Sequence, residues 1–493
     1  MPRDSDSPAV CIIGAGFGGL GLGIMLKRAG IHSFTILEKA DRVGGVWRDN
    51  TYPGLTCDVP SVLYSFSFEP KYDWSRRFPL REEILAYLES CATRNGLFDH
   101  IRFGVEVAEA EFDEAGGCWR LRLVGGEELE ADVLVSAAGQ LSRPGRPSIP
   151  GLERFRGDLF HSARWDHDVE LEGKRVAVIG TGASAIQFVP EIAPRVDRLE
   201  VFQRTPAWVI PKPDKPYREW QKRLFARLPW VQRLSRGYVW LRLESFIGAF
   251  TKARWLGRPY TWAYRRRLER EVPDRALRER LVPDYPLGCK RVLISDDWLP
   301  TLLRPNVDLV TDAIRELSEN GVVTADGKEH PADAVILATG FDANDFLAPM
   351  RIRGLGGREL DEAWRDGAQA YLGLAVSGFP NMFMLYGPNT NLGAGSIIYM
   401  LESQARYVVG AVRALARSGV RWMDVREHVQ GKFNAEIQSR LSDSVWTAGC
   451  TSWYRTESGK VTNNWPGFTL EYRRRTRRPE LADYRLAGAA QRP

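Results

Sequence analysis

The stretch AVCIIGAGFGGLGLGIMLKRAG, residues 9–30, followed by FTILEK at 34–39, decides the fold. An apolar run leads into Gly14-Ala-Gly16-Phe-Gly-Gly19, a helical segment follows, and a second apolar run ends at Glu38. This order predicts a strand, a glycine turn, a helix and a parallel strand. In such a unit Gly14 makes the tight turn, Gly16 lets backbone approach a pyrophosphate, and Gly19 lets the helix pack closely, with the positive end of the helix facing the anion. Glu38 stands 22 residues after Gly16, where a carboxylate accepts hydrogen bonds from a ribose diol.

The pattern recurs in KRVAVIGTGASAIQFVPEIA, residues 174–193, where Gly180-Thr-Gly182-Ala-Ser184-Ala185 follows an apolar run and opens a helix. Counting the same 22 residues from Gly182 reaches Arg204, in EVFQRTPAW. A guanidinium here, with Thr205 beside it, suits a 2′-phosphate that an acid would repel. The first site is therefore expected to hold FAD and the second NADPH. The fold class that follows is α/β, with two Rossmann-like dinucleotide-binding domains. A flavin and a nicotinamide site in one chain imply hydride transfer between them.

The bulk composition sets outer bounds. A chain of 493 residues with 44% hydrophobic content can build two or three domains. A net charge of +6 suits an anionic small ligand and is too slight to indicate nucleic acid; the short basic run Tyr472 to Arg478 reads as solvated or paired. The six cysteines are scattered without a CxxC pair, which argues against a disulfide framework, a zinc site or a dithiol centre, and so for a reducing compartment. The six histidines show no HxH or HExxH spacing, so no metal is expected. With no stretch of roughly 18 apolar residues and no signal-like N-terminus, the expected location is the cytoplasm.

Phe155-x-Gly157-x-x-x-His161-x-x-x-Trp165-Asp166 and GGVWRDNTYPGLTCD, residues 44–58, resemble the two signature motifs of type I Baeyer-Villiger monooxygenases. Segments Ala338 to Asp342 and Gly387 to Asn391 are similar to two further family stretches, so the resemblance runs from Val10 to about Arg478. It implies an FAD-containing, NADPH- and O2-dependent monooxygenase that places oxygen next to a ketone carbonyl, giving an ester or lactone through an anionic flavin peroxide. Sulfur or nitrogen oxidation is the alternative within enzymes. A flavin redox sensor without turnover is the alternative outside them.

An anion in a water-poor pocket needs a fixed positive charge. PLGCKR, Pro286 to Arg291, is similar to the family segment whose arginine lies over the flavin and whose lysine reaches the 2′-phosphate of NADPH. The resemblance thus implies Arg291, oriented by Asp58, and the interdomain His161 as catalytic residues, and Lys290 as a phosphate ligand. Trp47, Asp58, Val107, Gln140, Ser184 and Asn391 join the glycines, Glu38, Arg204, Thr205 and Lys290 in the expected cofactor-binding set. Trp453, in SWY, is expected to line the substrate pocket. The run Phe155 to Asp166 is neither strand-like nor a plausible surface loop, and is expected to be a linker between domains.

Between Trp208 and Pro286 the chain becomes rich in Arg, Trp and Leu, and Trp230, Leu234, Tyr238 and Leu241 recur at helical spacing. A packed helical lobe is expected there, with peripheral membrane contact the lesser reading. The expected plan is FAD domain at 1–142 and 344–493, NADP domain at 143–209 and 288–343, and helical insertion at 210–287. The partners expected are a small ketone and O2, with no nucleic acid and no transmembrane segment.

Overall fold

The computed structural model describes residues 7–251, 254–450, 452–456 and 458–489. Strand β1 (Val10–Ile13), helix α1 (Phe17–Arg28) and strand β2 (Phe34–Glu38) follow the opening stretch. β1 lies at the centre of a five-stranded parallel sheet in the order Met382–Met384, Val133–Ser136, β1, β2, Ile101–Phe103. Every residue of β2 and of Val133–Ser136 is buried, as expected for strands covered on both faces.

Strand β3 (Arg175–Ile179), helix α2 (Ala185–Ile192) and strand β4 (Arg198–Phe202) repeat the arrangement. They form a second five-stranded parallel sheet in the order Val307–Val310, β4, β3, Ala334–Leu337, Asp158–His161. Each sheet thus places its glycine turn at the carboxyl end of a central strand, where ligands bind in such folds. Late segments return to both sheets, Ala334–Leu337 to the second and Met382–Met384 to the first. Where the chain passes between them, residues 143–145 and 340–342 run side by side, Gly145 N–H donating to Gly340 O at 2.9 Å and Asp342 N–H to Arg143 O at 3.0 Å.

The expected linker is in part a strand. Asp158–His161 pairs in parallel with Ala334–Leu337 at the edge of the second sheet, His161 opposite Leu337. It is a four-residue edge strand, polar at both ends around Leu159 and Phe160, too short for a strand pattern to show in the isolated run. Trp165 then packs edge-to-face on Phe188 of α2 at 5.2 Å, and Tyr52, from the segment that follows β2, meets the other side of Phe188 at 6.0 Å. One apolar cluster therefore spans both nucleotide units.

The insertion is helical, with Glu219–Arg227, α3 (Pro229–Phe250), Arg258–Glu271 and Arg275–Leu281. It is not packed on the face the spacing marked. Trp230, Leu234, Tyr238 and Leu241 lie in solvent, while Val239, Ile247 and Phe250 of the same helix are buried. Both sides of α3 are apolar, so periodicity alone could not tell which would face the core. Among the described residues, no helix is long and apolar enough to cross a membrane.

Candidate active site

The two glycine turns are built alike. Gly14 has φ +104°, and a Cβ there would lie 2.7 Å from Ala137 O; Gly180 has φ +111°, and a Cβ there would lie 2.5 Å from Ala338 O. Only glycine combines that backbone conformation with that approach of the neighbouring strand. At Gly182 a Cβ would meet nothing within 4 Å, so the second turn is open to a ligand. Ser184 caps the start of α2 without a side-chain hydrogen bond to it.

At the first turn the buried Glu38 carboxylate accepts from Ala15 N–H at 2.8 Å and Ala40 N–H at 3.0 Å, and lies 3.0 Å from the Arg48 guanidinium. It is therefore held at the strand end beside the turn. Segment 44–58 folds over that turn, with Gly44 N–H donating to Ala15 O at 3.0 Å. Trp47 is buried in this segment and donates through Nε1 to Tyr64 Oη at 3.1 Å.

Asp58 closes the segment and meets Arg291, 233 positions away. Arg291 Nε donates to Asp58 Oδ2 at 3.0 Å, and Nη2 makes a second, shorter contact with the same oxygen. The carboxylate holds the Arg291 pKa well above its ordinary value, so the cation persists through any working pH. Both side chains remain about one-third exposed. Around them stand Tyr454, buried, and Tyr386, partly buried. Burial pushes the Tyr454 hydroxyl up to about 12 and Tyr386 further, so both are neutral. Tyr386 donates to Asn391 Oδ1 at 2.7 Å, and Asn391 Nδ2 donates to Asn464 Oδ1 at 3.1 Å. Trp453 is partly buried, its ring 4.4 Å from that of Tyr454.

A second cationic group forms at the other turn. Lys290 Nζ donates to Thr205 Oγ1 at 2.6 Å, and its pKa is lowered by burial and then by the Arg204 charge. Two like charges and a hydroxyl converge here, and the charge of Asp284 offsets their repulsion only in part, an arrangement suited to an anion. His161 lies at the carboxyl end of its strand, its Nδ1 accepting from Ala163 N–H at 3.0 Å, which assigns the proton to Nε2. Burial lowers its pKa, so the ring is neutral near pH 7.

The donors fit two dinucleotides. Several polar atoms are buried with no protein partner, among them Gln140 Oε1, His161 Nε2, Asn463 Oδ1 and Asn464 Nδ2. Orphaned groups of this kind are costly unless a ligand meets them. Gln140 is fixed through Nε2, which donates to Tyr386 O at 3.0 Å, leaving its oxygen available. Val107 is buried at the start of the strand Val107–Asp113.

One expectation is overturned. Cys289 and Cys450 form a disulfide with Cα atoms 6.3 Å apart, joining the loop that carries Lys290 and Arg291 to the segment before Trp453. The two cysteines are separated by 161 positions, and no local pattern shows that the fold closes that distance; the ground for expecting a reducing compartment falls with it. Tyr386 and Tyr454 also escaped the sequence reading. The one signal for Tyr454 was its place beside Trp453, and Tyr386 stands just before the GPNTN stretch with no signal of its own.

Two parallel sheets, each with a glycine turn facing its own cation or acid, and an arginine–carboxylate pair set where the two meet, define a two-dinucleotide flavoprotein oxidoreductase. Residues 7–350 match the Flavin-binding monooxygenase-like family. The chain is 48% identical over 480 residues to a Baeyer-Villiger monooxygenase of Streptomyces coelicolor, covering 97% of this chain and 92% of that one. It is 44% identical over 479 residues to a Baeyer-Villiger monooxygenase of Pseudomonas aeruginosa, covering 97% and 91%. Among solved structures it resembles an oxidized steroid monooxygenase bound to NADP (TM-score 0.86, 33% identity, 97% and 99% covered). It also resembles a closed cyclohexanone monooxygenase (0.86, 27%, 98% and 99%). The chain belongs to the flavin-binding monooxygenase-like family, in its Baeyer-Villiger branch.

Proposed function

We propose that this protein uses FAD, NADPH and O2 to convert a ketone into an ester or lactone, one oxygen atom entering beside the carbonyl and the other leaving as water. NADPH and a proton balance the reaction. The reading rests most on Arg291, a cation fixed by Asp58 between neutral tyrosines, above a segment that covers the first glycine turn. The cofactors supply hydride and activated oxygen when bound.

The chain's own residues divide the remaining work. Gly14, Gly16, Gly19, Glu38, Trp47, Val107, Gln140 and Asn391 hold FAD, and Gly180, Gly182, Ser184, Arg204, Thr205 and Lys290 hold NADPH. Arg291 stabilises negative charge that develops beside the ketone, and Asp58 sets its direction; preorganised charge of this kind acts most strongly where water is sparse. His161 offers a neutral Nε2–H at the junction of the two units, and Trp453 lines the pocket. The flavin unit comprises 1–142 and 344–493, and the NADP unit 143–209 and 288–343.

Incubation with NADPH, oxygen-18-labelled O2 and a panel of cyclic, linear and aryl ketones tests the proposal. One labelled atom in an ester or lactone is the expected result. In parallel incubations with sulfides and amines, labelled sulfoxides or N-oxides, with no ester or lactone from any ketone, would overturn it.

A further inference from the structure

We propose that the outer face of α3 docks on an anionic lipid surface. Trp230, Leu234, Tyr238 and Leu241 are 56, 64, 65 and 62% exposed. At 3.6 residues per turn they fall within a sector of about 80°, which makes one continuous stripe along about three turns. The stripe runs into an open groove of about 350 Å³ where Trp240 and Leu241 of α3 face Phe468 and Leu470, themselves 50 and 38% exposed. A solvent-facing row of this size on a helix that already buries its opposite side has no role in holding the fold together.

Charge identifies the occupant. Residues 219–281 carry sixteen Lys and Arg against six Asp and Glu, an excess of ten, although the whole chain carries only +6. Arg233 and Arg242 flank the stripe on either side, Arg227 lies at its start and Arg474 on the groove. All four are exposed and none makes an ion pair among the described residues, while the acids of the groove, Glu244 and Glu471, are engaged by Thr469 and by Arg440 and Arg475. An aromatic and aliphatic stripe between unpaired arginines is the pattern of a segment lying in a bilayer interface, apolar side chains among the acyl chains and guanidinium groups among anionic headgroups. A second copy of the chain fits poorly, because a two-fold contact would press this basic surface against itself. The same helix reaches the site from its buried side: Phe250, at the end of α3, packs so closely on Gly288 that a Cβ there would lie 2.4 Å from its ring, and Gly288 belongs to the loop of Arg291.

The test is co-sedimentation of the FAD-loaded full chain with phosphatidylcholine vesicles, with and without phosphatidylglycerol, at low and high salt. Roughly tenfold more protein should sediment with the anionic vesicles at low salt, and high salt should release it. Two double variants, Leu234→Glu with Tyr238→Glu and Arg233→Glu with Arg242→Glu, should each bind no better than to neutral vesicles while keeping flavin content, melting temperature and NADPH oxidation. Equal sedimentation with both vesicle types, or binding that survives either double variant, would overturn the proposal. So would a concentration-dependent dimer abolished by the Leu234 and Tyr238 changes, which would assign the stripe to self-association.

Discussion

Arg291 and Asp58 are 233 positions apart in sequence and joined through one carboxylate oxygen, Arg291 Nε donating to Asp58 Oδ2 at 3.0 Å. The contact ties the loop after the helical insertion to the segment folded over the first glycine turn. At about one-third exposure, such a pair contributes little to stability, about 0–1 kcal/mol. Its value is direction.

Replacing Asp58 with Ala should therefore leave the melting temperature within about 2 °C of the parent while ester formation falls roughly 10- to 100-fold as Arg291 loses its orientation. Calorimetry and product analysis on one preparation check both halves. A large loss of stability with unchanged turnover would mean that the pair is structural.

Arg204, Thr205 and Lys290 converge at the second turn, where burial and the Arg204 charge outweigh the opposing charge of Asp284 on Lys290. Lys290→Met or Arg204→Gln should weaken NADPH binding by about 1.5–3 kcal/mol, roughly 10- to 100-fold, and leave NADH binding nearly unchanged. Titrating both nucleotides against each variant separates loss of phosphate recognition from general damage.

The same group sets a pH dependence. Burial and the Arg204 charge lower the Lys290 pKa in the free protein. The 2′-phosphate favours the charged form, so binding takes up a proton wherever Lys290 has begun to lose it, and NADPH affinity must fall as pH rises toward and through that lowered pKa. Lys290→Arg, whose guanidinium stays charged, should flatten the alkaline limb of the affinity profile. A parallel fall in both proteins would place the titration elsewhere.

The Cys289–Cys450 bridge predicts four titratable thiols per chain in denaturant without reductant and six after reduction. Cys450→Ser should lower stability by about 2–4 kcal/mol, read as an earlier midpoint of thermal unfolding. Six thiols before reduction would contradict the bridge.

Local chemistry was legible in the sequence, and long-range closure was not. The glycine turns, with Glu38 and Arg204 at matched distances, rest on rules that act within about 30 residues, and the sheets formed around them. The Arg291–Asp58 pair could be read only through resemblance, because no spacing rule links residues so far apart; Cys289 and Cys450 had neither a spacing rule nor a motif and were misread. Periodicity announced α3 but not its orientation, since both faces are apolar. The strand Asp158–His161 was hidden because it is four residues long and polar at both ends. Tyr386 and Tyr454 acquire meaning only when burial places them beside Arg291.

The central claim is that Arg291 acts in oxygen transfer rather than in cofactor reduction. Its most direct test measures ester formed per NADPH consumed, together with hydrogen peroxide released, in the parent and in Arg291→Ala at saturating ketone. The predicted result is a loss of ester formation of roughly 100- to 1000-fold, with NADPH consumption continuing and its electrons appearing as hydrogen peroxide. Undiminished ester formation in Arg291→Ala would contradict the account.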